Sequence, residues 1–286
     1  MEKRHFFLIQ IIGVLMLSIS CQGLLEEEIH SEITDNYLST TEGFNDGVNA
    51  AYAFLRYYYG FNEIGAATSV FGTDEFTNGF DGSLKYLNTY DAKLDPSGGY
   101  SWGDLYIAIN TCNAVIGRAP NVSGIPDAIK TVRVAEVRFL RAHYYFLLVR
   151  LWGPVHLTLT ETQGVQTSAT RVPIKDIYDA IIEDLDFAVQ NLPPTPSNYG
   201  RTTKPAAQNL LAKVYLTRAT SDAKQADDYS KAAQLAKTVI SDYNFSLLSN
   251  YHKIFEQGAG EKNSEVIFAI QNSKNLLTSG DRKSVV

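Results

Sequence analysis

The sequence predicts a mostly all-α chain: a tetratricopeptide-like scaffold of paired helices with long irregular loops and a minor strand near the C-terminus. Three observations carry that expectation. Residues 133–157 are apolar along two stripes, one of Ala135, Phe139, Ala142, Phe146 and Val149, the other of Val137, Leu140, Tyr144, Leu147 and Leu151. Both stripes run at alternating steps of three and four, so this helix needs a neighbour on each of two sides. Second, Lys204 to Ala219 carries Ala206, Ala207, Leu210, Leu211, Val214 and Tyr215, and residues 226–243 carry Ala232, Ala233, Leu235, Ala236, Val239 and Ile240. Together these read as one helix-turn-helix unit that cannot bury its face without stacked neighbours. Third, 286 residues with 45% hydrophobic content suffice for one or two domains with a real core.

Taken in order, Glu2, Lys3 and Arg4 precede an apolar run from Phe6 to Ile19, broken at Gln10 and closing in small residues. Charge, length and order are those of a signal peptide over residues 1–20. The run is shorter than the roughly 20 apolar residues that a membrane span requires. Leu17-Ser18-Ile19-Ser20-Cys21 resembles a bacterial lipoprotein cleavage site, with Ser18 where leucine is usual. Cys21 is then the acylated first residue of the mature protein, and several acyl chains on one residue give stable anchoring. Residues 21–39 read as a lipidated tether, acidic at Glu26, Glu27 and Glu28.

The helical domain is expected over residues 40–271. Thr40 or Thr41 caps a helix running to about Tyr59, with Phe44, Val48, Ala51 and Leu55 on its apolar side and Gly60 at its end. Residues 61–98 lack sustained helical periodicity and are rich in Gly, Asn, Asp, Thr and aromatics, as in a binding loop. Trp102 opens the next helix, with Leu105, Ile109, Cys112 and Ile116 inward, and Pro120 closes it. The long helix starts near Pro126 or Asp127, and Gly153-Pro154 stop it. After a turn-rich link, Pro173 begins an amphipathic helix carrying Ile177, Ile181, Leu185, Ala188 and Leu192, ended by Pro193, Pro194 and Pro196. Glu265 to Gln271 alternates or runs apolar and is read as the minor strand. Residues 272–286 read as an unstructured tail. Its last six, Asp281 to Val286, look like a translated sequencing adapter and are expected not to be native.

Four parts of the chain together resemble the SusD/RagB family of surface lipoproteins. They are the lipoprotein start with its acidic residues, Trp102-Gly-Asp-Leu-Tyr106 leading to Asn110 and Asn113, the helix at 133–157, and Arg201-Thr-Thr-Lys-Pro-Ala-Ala207 to Tyr215. Each is weak alone; in this order and spacing they are fairly specific. The resemblance implies a helical scaffold bearing ligand-binding loops, anchored in the outer membrane at the cell surface and docked as the lid of a SusC-like, TonB-dependent transporter. It also implies a chain that stops short, since members of the family are usually much longer and the missing portion is C-terminal.

The ligand expected is an oligosaccharide, bound without chemistry. Asp74, Glu75, Phe76, Asn78, Phe80, Tyr86, Asn88 and Tyr90 share the 61–98 loop. Rings stack on the apolar face of a pyranose while amides and carboxylates meet its hydroxyls. Asp74 and Glu75 are the only candidate catalytic pair, but adjacent residues on one strand point opposite ways, where a glycosidase needs carboxylates about 5–10 Å apart across one bond. Alternatives are a peptide-capturing RagB-like protein and a tetratricopeptide-like assembly scaffold.

Other classes find little support. A formal net charge of −6 argues against nucleic acid as partner. Cys112, in an apolar helix, reads as a buried structural thiol. His30, His143, His156 and His252 are scattered, so no metal site is expected, and no Walker loop, dinucleotide fingerprint or nucleophile elbow points to a cofactor or a catalytic centre. Arg138, Arg141 and Arg150 on the long helix read as structural pairing partners, and Trp102 as core.

Overall fold

A computed structural model describes residues 35–59, 70–76, 88–91, 100–256 and 262–271. The chain divides into Met1–Asn36 and Tyr37–Val286, and everything below concerns the second unit. Cys21, with the signal peptide and most of the tether, lies outside the described residues, as do the predicted Gly60 stop and the 272–286 tail.

Helix α1 (Thr41–Ala53) begins where Thr40 turns extended and its Oγ1 accepts the Gly43 amide at 3.0 Å. That satisfies one of the amides a helix start leaves free. The single helix expected to reach Tyr59 is two segments. At Phe54 the bonding tightens, Tyr57 N donating to Phe54 O, and α2 (Leu55–Tyr59) follows. α3 (Tyr100–Arg118) and α4 (Asp127–Trp152) come next, then α5 (Ile174–Asn191), α6 (Lys204–Arg218) and α7 (Asp228–Asp242).

From α3 onward each helix packs on the one before it, and α1 lies against α3 and α4. α4 is therefore covered on two sides, as its two stripes require. Every residue of both stripes is buried except Leu151, which is partly so. Gly153 ends α4 at φ +68°, a conformation that favours glycine, and its amide reaches back to Val149 O at 3.0 Å.

The link after α4 is bolted down by side chains of α3 and α4. Asn113 Nδ2 donates to the carbonyls of Thr158 and Thr160 at 3.1 and 3.0 Å, and Asn110 Oδ1 accepts the Thr162 amide at 2.8 Å. The Tyr145 hydroxyl donates to Thr158 O and accepts from Thr158 N, while Arg118 grips Glu161 with two nitrogens. These bonds satisfy backbone groups that irregular chain would otherwise leave unpaired. The Asn110–Asn113 pair is therefore scaffold. Cys112 is fully buried between them, with its thiol held well above its usual range by burial.

Two expectations need correction. Glu265–Gln271 forms no strand: among the described residues it is a turn at Ser264–Glu265, a bend at Ile267 and otherwise irregular chain. Its neighbour across Ser246–Leu248 meets it through Ser246 N to Ser264 O at 3.0 Å and Leu248 N to the Glu265 carboxylate, too few bonds for a ladder. Ile267, Phe268 and Ile270 still lean on the core. On α7, Ala232 and Val239 are buried, but Ala233, Ala236 and Ile240 face out, Ile240 at 76% exposure. Among the described helices α7 packs chiefly on α6, so one stripe is what it buries.

His143 on α4 meets the Tyr59 hydroxyl with Nε2 at 3.0 Å and lies beside the rings of Phe139 and Tyr144. Burial, then the nearby Arg150 and Lys213, push its pKa down from 6.5 to about 4. The unfolded chain thus takes up this proton first as pH falls. Stability contributed by neutral His143 is complete above about pH 6.5 and lost between pH 6.5 and 4. The side chain keeps some solvent contact, so the loss expected is on the order of 2 kcal/mol. Urea midpoints compared across that window check this: His143→Gln should flatten the slope, and an unchanged slope contradicts the assignment.

Candidate functional site

The described part of the predicted loop consists of two short segments, 70–76 and 88–91, joined by two hydrogen bonds. The Tyr90 hydroxyl donates to the Gly72 carbonyl, and Asn88 Nδ2 donates to Phe76 O at 3.3 Å. Within the first segment, Thr73 folds back on Val70 O through its hydroxyl at 2.7 Å. Tyr90 sits at φ +54°, uncommon for a residue with a bulky side chain. Such a conformation costs about 1–3 kcal/mol and persists where surrounding bonds over-determine it. Here the bond from its own side chain to Gly72 does so.

These cross-links leave a mixed surface facing solvent. Asp74 and Glu75 are exposed, Phe76 is 53% exposed and Tyr90 78%. A single exposed ring is ordinary; here two of them share a braced loop with two exposed carboxylates. Rings supply flat apolar faces; carboxylates accept hydroxyl hydrogen bonds. Asn88 differs from the expectation: it is half-buried and its amide donates to the loop backbone, so it braces the surface. Asn78, Phe80 and Tyr86 lie outside the described residues.

Elsewhere the predicted roles resolve into scaffold. Arg141 pairs with Asp184 through both oxygens at 2.8 Å, and Arg138 lies over the Phe187 ring at 4.4 Å. Arg150 lies over Phe146 at 5.0 Å. Trp102 is half-buried, edge-on to Trp152 at 5.2 Å between centroids. Among the described residues no three His, Cys, Asp or Glu side chains converge to hold a metal, and no helix is long and apolar enough to cross a membrane.

Sequence reasoning missed a second concavity. The last turn of α1, the start of α2 with Leu55 and Arg56, the turn Tyr199–Arg201 and the segment Phe268–Gln271 line a cleft of about 300 Å³. Gly200 has φ +91°, a conformation that favours glycine, and a Cβ there would stand 2.4 Å from Gln271 Cγ, so a larger residue would also displace that side chain. Arg201 had a signal in the sequence, its place in the Arg-Thr-Thr-Lys-Pro motif, but nothing there paired it with α1.

Compared with known proteins, residues 68–216 match a SusD-like family model described as "Starch-binding associating with outer membrane". A SusD-like protein of Bacteroides ovatus is 33% identical over 186 residues, 62% of this chain and 33% of that protein. Two solved structures share the fold. A laminarin-binding SusD-like protein is 26% identical with a TM-score of 0.71, covering 80% of this chain and 50% of that one. A crystal structure with xylogluco-oligosaccharide is 28% identical with a TM-score of 0.64, covering 79% and 46%. The chain thus spans a third of that curated relative and about half of these solved chains.

Proposed function

We propose that this chain, which belongs to the SusD-like family, binds an oligosaccharide without chemistry of its own and passes it to a SusC-like, TonB-dependent outer-membrane transporter. One observation carries the binding reading: Phe76 and Tyr90 present their rings to solvent beside Asp74 and Glu75, on two segments tied together by side-chain hydrogen bonds. Stacking with hydroxyl-to-carboxylate bonds gives orientation and modest affinity, as suits a ligand that must be released again. The family description and the sugar ligands named for two structural relatives support a glycan as the ligand. Acylation at Cys21, after removal of residues 1–20, would hold the protein at the outer membrane.

A glycan array followed by calorimetry tests this. An oligosaccharide should bind, and Phe76→Ala or Tyr90→Ala should each weaken it about tenfold, or 1.4 kcal/mol. Asp74→Asn and Glu75→Gln should weaken it less, with the saccharide recovered intact in every case. Preference for peptides, or cleavage that Asp74→Asn abolishes, would overturn the reading.

A further inference from the structure

We propose that the cleft between the α1–α2 junction, Tyr199–Arg201 and Phe268–Gln271 binds the carboxylate or sulfate group of an acidic saccharide. None of the described loop residues, 70–76 and 88–91, is in its lining. Its volume, about 300 Å³, is at the small end for ligand sites and suits one sugar ring.

Charge points to the ligand. Arg56 and Arg201 are the charged residues of the lining, and both are cations, on a chain whose net charge is −6. Arg201 gives Nη1 to the buried Glu136 at 2.7 Å and Nη2 to Asn49 Oδ1 at 2.6 Å. Glu136 is shared with Arg133, also at 2.7 Å. Arg56 is half-buried and makes no hydrogen bond or ion pair among the described residues. Arg201 thus has its charge answered by Glu136, whereas Arg56, on the same lining, has no partner among the described residues.

A half-buried arginine can keep its head in water, and an anion entering the cleft would find that charge unanswered. A guanidinium offers a planar fork that fits carboxylate and sulfate oxygens alike. Tyr52 and Tyr199 also line the cleft, each ring with a cation over it, Arg201 at 5.1 Å and Lys262 at 5.0 Å, which adds to the positive charge at the site. That the anion is carried on a sugar rests on the function proposed above; that the cleft takes an anion does not.

The test is calorimetry on the full chain at low salt with trigalacturonate, a sulfated galactotriose, neutral galactotriose and citrate. At least one acidic trimer should bind about tenfold more tightly than the neutral one, and which does so separates carboxylate from sulfate. Arg56→Gln should erase that preference while leaving the neutral trimer and the unfolding midpoint unchanged, and Arg56→Lys should restore part of it. Phe76→Ala should leave the preference intact. Equal binding of acidic and neutral trimers, or a preference that survives Arg56→Gln, overturns the site. Citrate binding abolished by Arg56→Gln, with no trimer bound, overturns the sugar ligand of this cleft and leaves an anion cleft only, while the function above is decided separately by the glycan array.

Discussion

Asp184→Ala is expected to lower the unfolding free energy by about 3–5 kcal/mol, the loss typical of breaking a buried ion pair from one side. Against the 5–15 kcal/mol of an ordinary domain, that is a large fraction of the total. The cause is Arg141. Its Nε and Nη2 meet the two oxygens of Asp184 at 2.8 Å, and Nη1 donates to Asn113 Oδ1 and to Leu159 O. This one side chain joins α4 to α5, α3 and the link that follows α4. Without Asp184 a buried guanidinium is left without its carboxylate, and Arg138, whose Nη1 lies 3.7 Å from the same carboxylate, loses it too. The double replacement Arg141→Met with Asp184→Leu should recover part of the loss, since apolar isosteres need no partner, while Asn113 Oδ1 and Leu159 O still lose their donor. Urea midpoints of the three chains decide it. A single Asp184→Ala within 1 kcal/mol of the parent, roughly a surface effect, would contradict the role.

Glu136→Ala should cost about 3 kcal/mol by the same logic. Glu136 is 2% exposed and receives Arg133, Arg201 and the Tyr52 hydroxyl, the last at 3.1 Å. Tyr52 in turn accepts the Thr202 amide at 2.9 Å, and burial raises its hydroxyl pKa well above the ordinary value. Removing the carboxylate therefore releases the 199–203 turn from α1 as well as lowering global stability. Amide exchange separates the two effects: Thr202 should lose protection in conditions where the centre of α4 keeps it. Thr202 and the α4 centre losing protection in parallel would mean that the network adds nothing local.

Much of the fold was legible because it is written in short-range periodicity. The two stripes of α4, the Pro173 start and the small-residue face of α6 each follow from residues three and four apart. The break at Phe54 and the outward stripe of α7 do not. The first is a change of hydrogen-bond geometry within apolar sequence, and the second depends on how many neighbours the last helix has. Glu265–Gln271 has the composition of a strand, but a strand exists only through its partner. Polar networks were illegible for a related reason: Arg141 with Asp184, or Glu136 with Tyr52 and Arg201, are joined by the packing of helices distant in sequence. At the candidate site, aromatic and acidic composition pointed to Asp74, Glu75, Phe76 and Tyr90, and the structure leaves them exposed. The bracing role of Asn88 and the cationic cleft at Arg56 and Arg201 needed three-dimensional neighbours to be seen.

The central claim is that a braced loop on a helical stack receives a sugar by ring stacking. Saturation-transfer NMR on the full chain, using an oligosaccharide selected by array and side-chain assignments for the loop, tests it most directly. The account predicts transfer between sugar protons and the rings of Phe76 and Tyr90, lost ring by ring in Phe76→Ala and Tyr90→Ala. Transfer that arises wholly from other residues and is untouched by both replacements would contradict it.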